Sequence, residues 1–425
     1  MTAQTKLAEK FYQKLQKKFS RRINLDRSRI FLALKKLHIN PDYDLPGEVL
    51  QVIGSDGKNS VLQSLKSILI ENKKNIATFT SPAIISPLDR IFIKEKFISF
   101  NKFKSIAKKI MASNFRLTLF EAITLIYIES VKNIKKIDYY INEAGCGWNK
   151  DSTNLFNYPK AQIITNLNLQ HKDLLGAKNI EDICRIKCGA LSNNTSIYIG
   201  KQNLKTLNII KKILKKNSSQ KYYYGKDFKI KKSSNFYLYS DKKGILKLKA
   251  NHIHSEGLWE NIALAIKVSR DLNINKKIIL KALPKIEMLG RLQFITKGKL
   301  RKLLFSKEDL LLDGCHSEKS ILNHINFLKS INKPKYAIWS LMKNREPEKY
   351  IKYLKCFKKI VVIKIPNEPN SCSPKLLKKI ANRNGIDCAT APDIRSAIKI
   401  ISSNKPKCLS IIGSLYTAGK VLNLN

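Results

Sequence analysis

The chain has 425 residues, 43% of them hydrophobic, and its 80 Lys and Arg against 32 Asp and Glu give a formal net charge of +48. That length exceeds one ordinary core, so two packed domains are expected, and the absence of any run of about 20 apolar residues excludes a membrane-spanning helix. The charge is nearly all Lys, spread along the chain among Ile and Asn with little Arg and no basic tail. With no zinc-finger spacing and no aromatic RNA-binding signature, nucleic acid is not the expected partner, although the surface should attract anionic substrates.

In chain order, Met1 to Arg22 mixes Lys, Gln and Glu with isolated apolar residues and lacks a signal-peptide core, which predicts a cytoplasmic protein. The run Val49 to Ile53 suits a buried strand, and after Ser60 the positions Leu62, Leu65 and Leu69 recur at helical spacing. Between them stands Gly54-Ser-Asp-Gly57-Lys58-Asn59-Ser60. Glycines at a strand-to-helix turn present free N–H groups and the positive end of a helix dipole to phosphate. Lys58 can then reach a terminal phosphate, and the Ser60 hydroxyl can ligate Mg²⁺. The spacing is shorter than the general phosphate-loop form.

Further strands are expected at Ile76 to Thr80, Ile137 to Asn142 and Ala161 to Asn166. The pattern breaks around Pro284 to Gly290, where the domain junction is placed. Beyond it strands are predicted at Leu310 to Leu312, Tyr336 to Leu341, Ile360 to Ile365 and Cys408 to Ile412, with amphipathic helices at Lys375 to Arg383 and Asp393 to Ser402. Two α/β domains follow: residues 1–285 with a mainly parallel sheet, and a smaller Rossmann-like domain at 286–425. The eight cysteines show no C-x-x-C pair and are read as reduced structural thiols; Cys184 and Cys188, four apart on a helix, lack partners for a metal site. His252 and His254 alternate like an exposed strand face, and His38 and His324 are structural by default.

Small polar motifs follow these strands, where open α/β sheets place their ligands. In order they are Phe79-Thr-Ser81-Pro82 with Asp89-Arg90, then Leu119-Phe-Glu121 with Thr124, then Glu143-Ala-Gly145-Cys-Gly147 with Asp151-Ser152-Thr-Asn154. Asn168-Leu-Gln-His171, expected to end the fourth strand, Lys187-Cys-Gly189 on a subsequent helix, Gly290-Arg291, Asp313-Gly-Cys-His316 and Gly413-Ser-Leu-Tyr416-Thr-Ala-Gly419 complete the series. This order resembles the bifunctional dihydrofolate synthase/folylpolyglutamate synthase family of the Mur ligase superfamily, from about residue 25 to 422.

The resemblance implies an N-terminal Mur-ligase-like ATPase domain carrying a folate site, and ATP-dependent addition of L-glutamate to dihydropteroate, to reduced folates, or to both, in a monomer. It gives Gly54, Gly57, Lys58, Asn59, Ser60, Asn261, Arg291 and Asp313 to ATP, and Ser60, Ser81, Glu143 and His171 to Mg²⁺. Arg90, Glu121, Asp151 and Ser152 fall to the folate substrate. Lys58 and His316 serve the transferring phosphate, and Lys187 matches a lysine that can be carbamylated beside the metal. The second domain is expected to close over the nucleotide. Two other readings stand beside this one: an amide ligase of the same superfamily with another carboxylate acceptor, and a basic nucleic-acid-binding protein with a vestigial ATPase fold.

The chain departs from the family pattern in several places. The usual loop is Gly-Thr-Asn-Gly-Lys-Gly-Ser; here Asp56 replaces the Asn, which is expected to put negative charge beside the phosphates, and Asn59 replaces the last Gly. Ala83 stands for a His, Trp148 for a Gly, Gln170 for the Asp before His171, and Ser317 for an Asn. Lys343-Asn-Arg345 occupies the Asp-Lys-Asp region, and the His-Gln segment before Asn261 has no counterpart.

Overall fold

The apolar run ending at Ile53 becomes β1 (Glu48–Ile53), buried along all but its first residue. The computed structural model, which describes residues 3–22 and 24–425, divides into two units. The larger runs to Ala250 and includes Gly257–Glu287; the smaller comprises Asn251–Glu256 and Met288–Asn425. Among the described residues no helix is long and apolar enough to cross a membrane.

In the larger unit β1 is joined by β2 (Ile76–Phe79), β3 (Ile91–Ile93), β4 (Lys96–Phe97), β5 (Tyr139–Glu143), β6 (Ala161–Ile164), β7 (Ser196–Ile199) and β8 (Gln220–Tyr223). They form one eight-stranded sheet in the order β4-β3-β2-β5-β1-β6-β7-β8. All neighbours are parallel except the β2–β3 and β3–β4 pairs. β1 therefore lies between β5 and β6; the chain runs from β1 towards β2 on one side and from its neighbour β6 towards β7 on the other, which puts a topological switch point at their carboxyl ends. Gln51 and Gln162 face each other across β1 and β6, and their buried amides pair at 2.9 Å. A slip of one residue would unpair both, so they help hold the register.

Helices cover the sheet, as parallel strands require. One core cluster gathers Phe11, Phe79, Phe103, Tyr127 and Tyr140, with Phe79 stacked on Tyr127 at 5.0 Å. A second holds Ile53, Ile164, Ile199, Trp148, Cys184 and Cys188. Each buried Ile or Phe among them contributes about 1.5–3 kcal/mol. A separate antiparallel sheet, β9 (Phe228–Lys232), β10 (Tyr237–Asp241) and β11 (Gly244–Leu248), was not among the predicted elements.

The smaller unit contains β12 (Gln293–Phe294), β13 (Glu308–Asp313), β14 (Lys335–Trp339), β15 (Lys359–Val362), β16 (Cys388–Thr390) and β17 (Lys407–Ile412). Their order is β12-β13-β17-β14-β15-β16, parallel except for the short β12. The mainly parallel α/β class expected from the sequence is what the chain adopts. His252 and His254 lie in irregular chain ahead of the helix Glu256–Asp271, not on a strand. The His254 ring stacks on Phe327 at 4.9 Å and meets Phe294 edge-on at 5.3 Å, and burial lowers its pKa.

Candidate nucleotide and metal site

Directly after β1 the chain turns through Gly54 and Gly57 into the helix Lys58–Glu71. Gly57 has φ 89° at the helix N-cap, a conformation that favours glycine, and offers no capping side chain. The first-turn N–H groups of Lys58, Asn59 and Ser60 therefore face the loop without a side-chain cap, as anion binding requires. A side chain at Gly54 would run into Thr165, and a Cβ at Gly57 would stand 2.6 Å from the Asn261 amide. Asn261 is thus packed against the loop.

Lys58 Nζ donates to the carbonyls of Gly54 at 3.1 Å and Ser55 at 3.3 Å. Lys187, on the helix Ile180–Cys188, donates to the same Gly54 oxygen at 3.1 Å and also to Cys146 O. Burial, with the nearby Lys58 charge, lowers the Lys187 pKa to about 8. A buried amine is disfavoured in its charged form, and two carbonyls compensate for only part of the lost water.

Oxygen donors converge at the neighbouring strand ends. Glu143 closes β5, and its Oε2 accepts from the Ser81 N–H at 3.1 Å and from Asn59 Nδ2 at 3.5 Å. Asn59, Ser81 and Glu143 are therefore brought together, with Ser60 next along the chain. His171 departs from expectation: β6 ends at Ile164, and His171 is exposed, at φ 56°, at the start of the short helix Lys172–Leu175. Asp56 also differs. Its Oδ2 accepts from Asn168 Nδ2 at 2.7 Å and Gln170 Nε2 at 2.9 Å, so the carboxylate is directed at the segment after β6.

The residues assigned to the folate substrate separate into different environments. Glu121 accepts from Arg29 Nε at 3.1 Å and Nη2 at 2.6 Å and from the Thr118 N–H at 2.7 Å. Both oxygens fasten the helix Leu119–Val131 within the fold, so Glu121 is not an open carboxylate awaiting substrate; nothing in the sequence paired it with Arg29, 92 positions away. Arg90 keeps buried Nε and Nη1 atoms without a hydrogen-bond partner among the described residues. Asp151 Oδ1 accepts from the Thr153 N–H and hydroxyl, and Ser152 pairs with Thr124 at 3.0 Å. A Cβ at Gly145 would meet the Phe120 ring at 2.7 Å and Asp151 Oδ2 at 2.9 Å. Gly145 thus marks a close approach between backbone, ring and acid.

In the smaller unit, Arg291 follows Gly290, whose carbonyl accepts from the Gly314 N–H at 2.8 Å. Asp313 ends β13, and its Oδ2 pairs with His324 Nδ1 at 3.0 Å; His324 Nε2 pairs with Ser410 at 3.1 Å. His316 Nδ1 lies 2.7 Å from Gly314 O. Asp313, Cys315 and His324 stand close enough to share a cation, but both His324 nitrogens are engaged and burial drives the Cys315 pKa well upward, keeping the thiol protonated.

These features define a mainly parallel α/β protein with a glycine loop and oxygen donors at the ends of its strands. The chain is similar to curated proteins named dihydrofolate synthase/folylpolyglutamate synthase. The chain is 24% identical over 430 residues to the dihydrofolate synthase/folylpolyglutamate synthase of Buchnera aphidicola, covering 98% of this chain and 95% of that protein. Its fold matches E. coli FolC in complex with DHPP and ADP at a TM-score of 0.84, with 18% identity over 98% of this chain and 96% of that one. It also matches the Yersinia pestis bifunctional enzyme complexed with AMPPNP and Mn ion at 0.83, with 20% identity and 99% of both chains covered. At those identities the structural likenesses speak for the fold. No family model matches the chain.

Proposed function

We propose that the chain is an ATP-dependent ligase that adds L-glutamate to dihydropteroate, to reduced folates, or to both. The observation that carries this reading is the uncapped glycine loop after β1 meeting Asn59, Ser81 and Glu143 at the ends of β2 and β5. Relatives named for this reaction, one of them holding DHPP and ADP, support it.

The donor set fits a divalent cation. A hard ion prefers oxygen, and Ser60, Ser81 and Glu143 offer it, with His171 as a fourth ligand. Bound there, Mg²⁺ would neutralise charge on the phosphates. The first-turn N–H groups of Lys58, Asn59 and Ser60 and the Lys58 ammonium would hold the terminal phosphates, and Asn261 the nucleotide beside Gly57. Arg291 and Asp313 are further proposed nucleotide contacts, and His316 is proposed to act at the transferring phosphate.

An acceptor carboxylate oxygen attacks the γ-phosphorus and ADP leaves, giving an acyl phosphate. The glutamate amine then attacks the acyl carbon, phosphate departs and the amine loses its proton. Positioning and charge compensation supply most of the acceleration in such transfers. Arg90, whose buried Nε and Nη1 have no hydrogen-bond partner among the described residues, is proposed to bind substrate, together with Ser152 and with Asp151 beside Gly145. Because its pKa is about 8, Lys187 is neutral often enough to take up CO₂ as a carbamate, which would add negative charge beside the metal. A ¹³C signal from labelled bicarbonate, absent in Lys187→Met, tests that step. The reading includes a cytoplasmic monomer that does not depend on nucleic acid; sedimentation checks the monomer.

Phosphate release from ATP is expected only when glutamate and a pteroate or folate acceptor are both present. Lys58→Ala should abolish turnover while leaving the fold intact by circular dichroism. Turnover with a different carboxylate acceptor, and none with pterins, would overturn the folate assignment.

A further inference from the structure

The segment after β6 is sewn to the phosphate loop. Asp56 Oδ2 takes both Asn168 Nδ2 and Gln170 Nε2, at 2.7 and 2.9 Å. The Ser55 and Asp56 N–H groups donate to Asn166 O at 3.0 and 3.3 Å. Ser55 Oγ donates to Asn168 O at 3.1 Å and lies 3.2 Å from the Asn168 N–H. His171 follows Gln170 directly, at φ 56°.

We propose that Asp56 is a positioning residue that fixes His171 by clasping Asn168 and Gln170, and that Asp56 and Gln170 work as one pair in which a single carboxylate is required. The proposal rests on the role given to His171 above. One carboxylate oxygen holding two amide donors makes charge-assisted bonds, stronger and more directional than amide to amide. A second carboxylate at position 170 would face the first and repel it. Two departures from the family pattern, Asp for Asn at 56 and Gln for Asp at 170, therefore meet in one contact, with acid and amide exchanged across it. What looks in the sequence like two losses is one substitution of sides.

The test is a double-mutant cycle read by Mn²⁺ binding in the presence of ADP, followed by electron paramagnetic resonance, and by amide exchange of residues 166–171 in the ligand-free protein. Asp56→Asn and Gln170→Glu should each weaken Mn²⁺ binding about fivefold or more and speed exchange of the segment. The combined exchange of sides should recover to within about threefold of the parent, while metal-free ADP affinity stays constant throughout. In a His171→Ala background, Asp56→Asn should weaken Mn²⁺ no further.

Losses that multiply in the combined variant would overturn the pairing. An undiminished Asp56→Asn effect in the His171→Ala background would overturn the positioning role. Absence of ligase activity towards folates, with the binding cycle as expected, would refute only the proposed function.

Discussion

Lys187 Nζ and the carbonyl oxygen of Gly54 stand 3.1 Å apart, so a buried amine holds the first glycine of the phosphate loop. The same oxygen also accepts from Lys58. Two amines on one carbonyl give the loop a titratable support, and pH should expose it.

The Lys187 pKa lies at about 8 when folded, against an ordinary 10.5. Between those values the unfolded chain binds the proton that the folded chain has lost, so stability rises with pH from about 8 to 10.5; below 8 the full penalty applies. At about 1.4 kcal/mol per pH unit the rise amounts to roughly 3 kcal/mol. Lys187→Met should remove that rise, measured as the difference between parent and variant in denaturant unfolding at several pH values in CO₂-free buffer.

Gly57→Ala should weaken ADP binding at least tenfold in calorimetric titration. The residue must hold φ 89°, and its new methyl would collide with the Asn261 amide. Such strain at positive φ costs about 1–3 kcal/mol, so the thermal midpoint should fall as well. Gly57→Ala with Asn261→Ala should regain part of the stability, because the collision is then relieved while the φ penalty stays.

Replacing Glu121 by Gln takes a charged acceptor from the half-buried Arg29 and from the Thr118 N–H. Hydrogen bonds to charged groups contribute about 1.5–3 kcal/mol. A loss of about 2–3 kcal/mol is expected in urea unfolding, with little change in KM for the folate acceptor. A large KM change at unchanged stability would instead return Glu121 to the substrate.

His324→Ala should destabilise the smaller unit by about 2–3 kcal/mol, since it strips a buried partner from both Asp313 and Ser410. If Asp313 meets the nucleotide, ADP affinity should fall in the same variant without any change at the phosphate loop. Limited proteolysis and ADP titration read the two effects separately.

Much of the strand framework was legible as apolar runs between turn residues. Val49 to Ile53, Ile76 to Thr80 and Cys408 to Ile412 each lie within a residue of their strands, because a strand covered on both faces has no polar alternation to confuse it. The prediction overran at Ile360 to Ile365. Ile363 and Ile365 are buried, yet β15 ends at Val362. The β9–β11 sheet escaped notice because single apolar residues such as Phe228 and Ile230 alternate with exposed lysines over only five positions. At the site, the phosphate loop was readable because its chemistry is local. The orientation of Asp56 was not, since its partner Asn168 is 112 residues away, and the pairing of Glu121 with Arg29 was hidden for the same reason.

The central place of β1 carries a consequence for biosynthesis. Its neighbours β5 and β6 begin at Tyr139 and Ala161, so the ribosome releases the phosphate loop long before either flank exists. Until about a hundred more residues emerge, an apolar strand with both edges open waits in a nascent chain, the condition under which long-range parallel pairing is slow and prone to aggregate. The strand left longest without its partners in the larger sheet is therefore the one that carries the glycine loop.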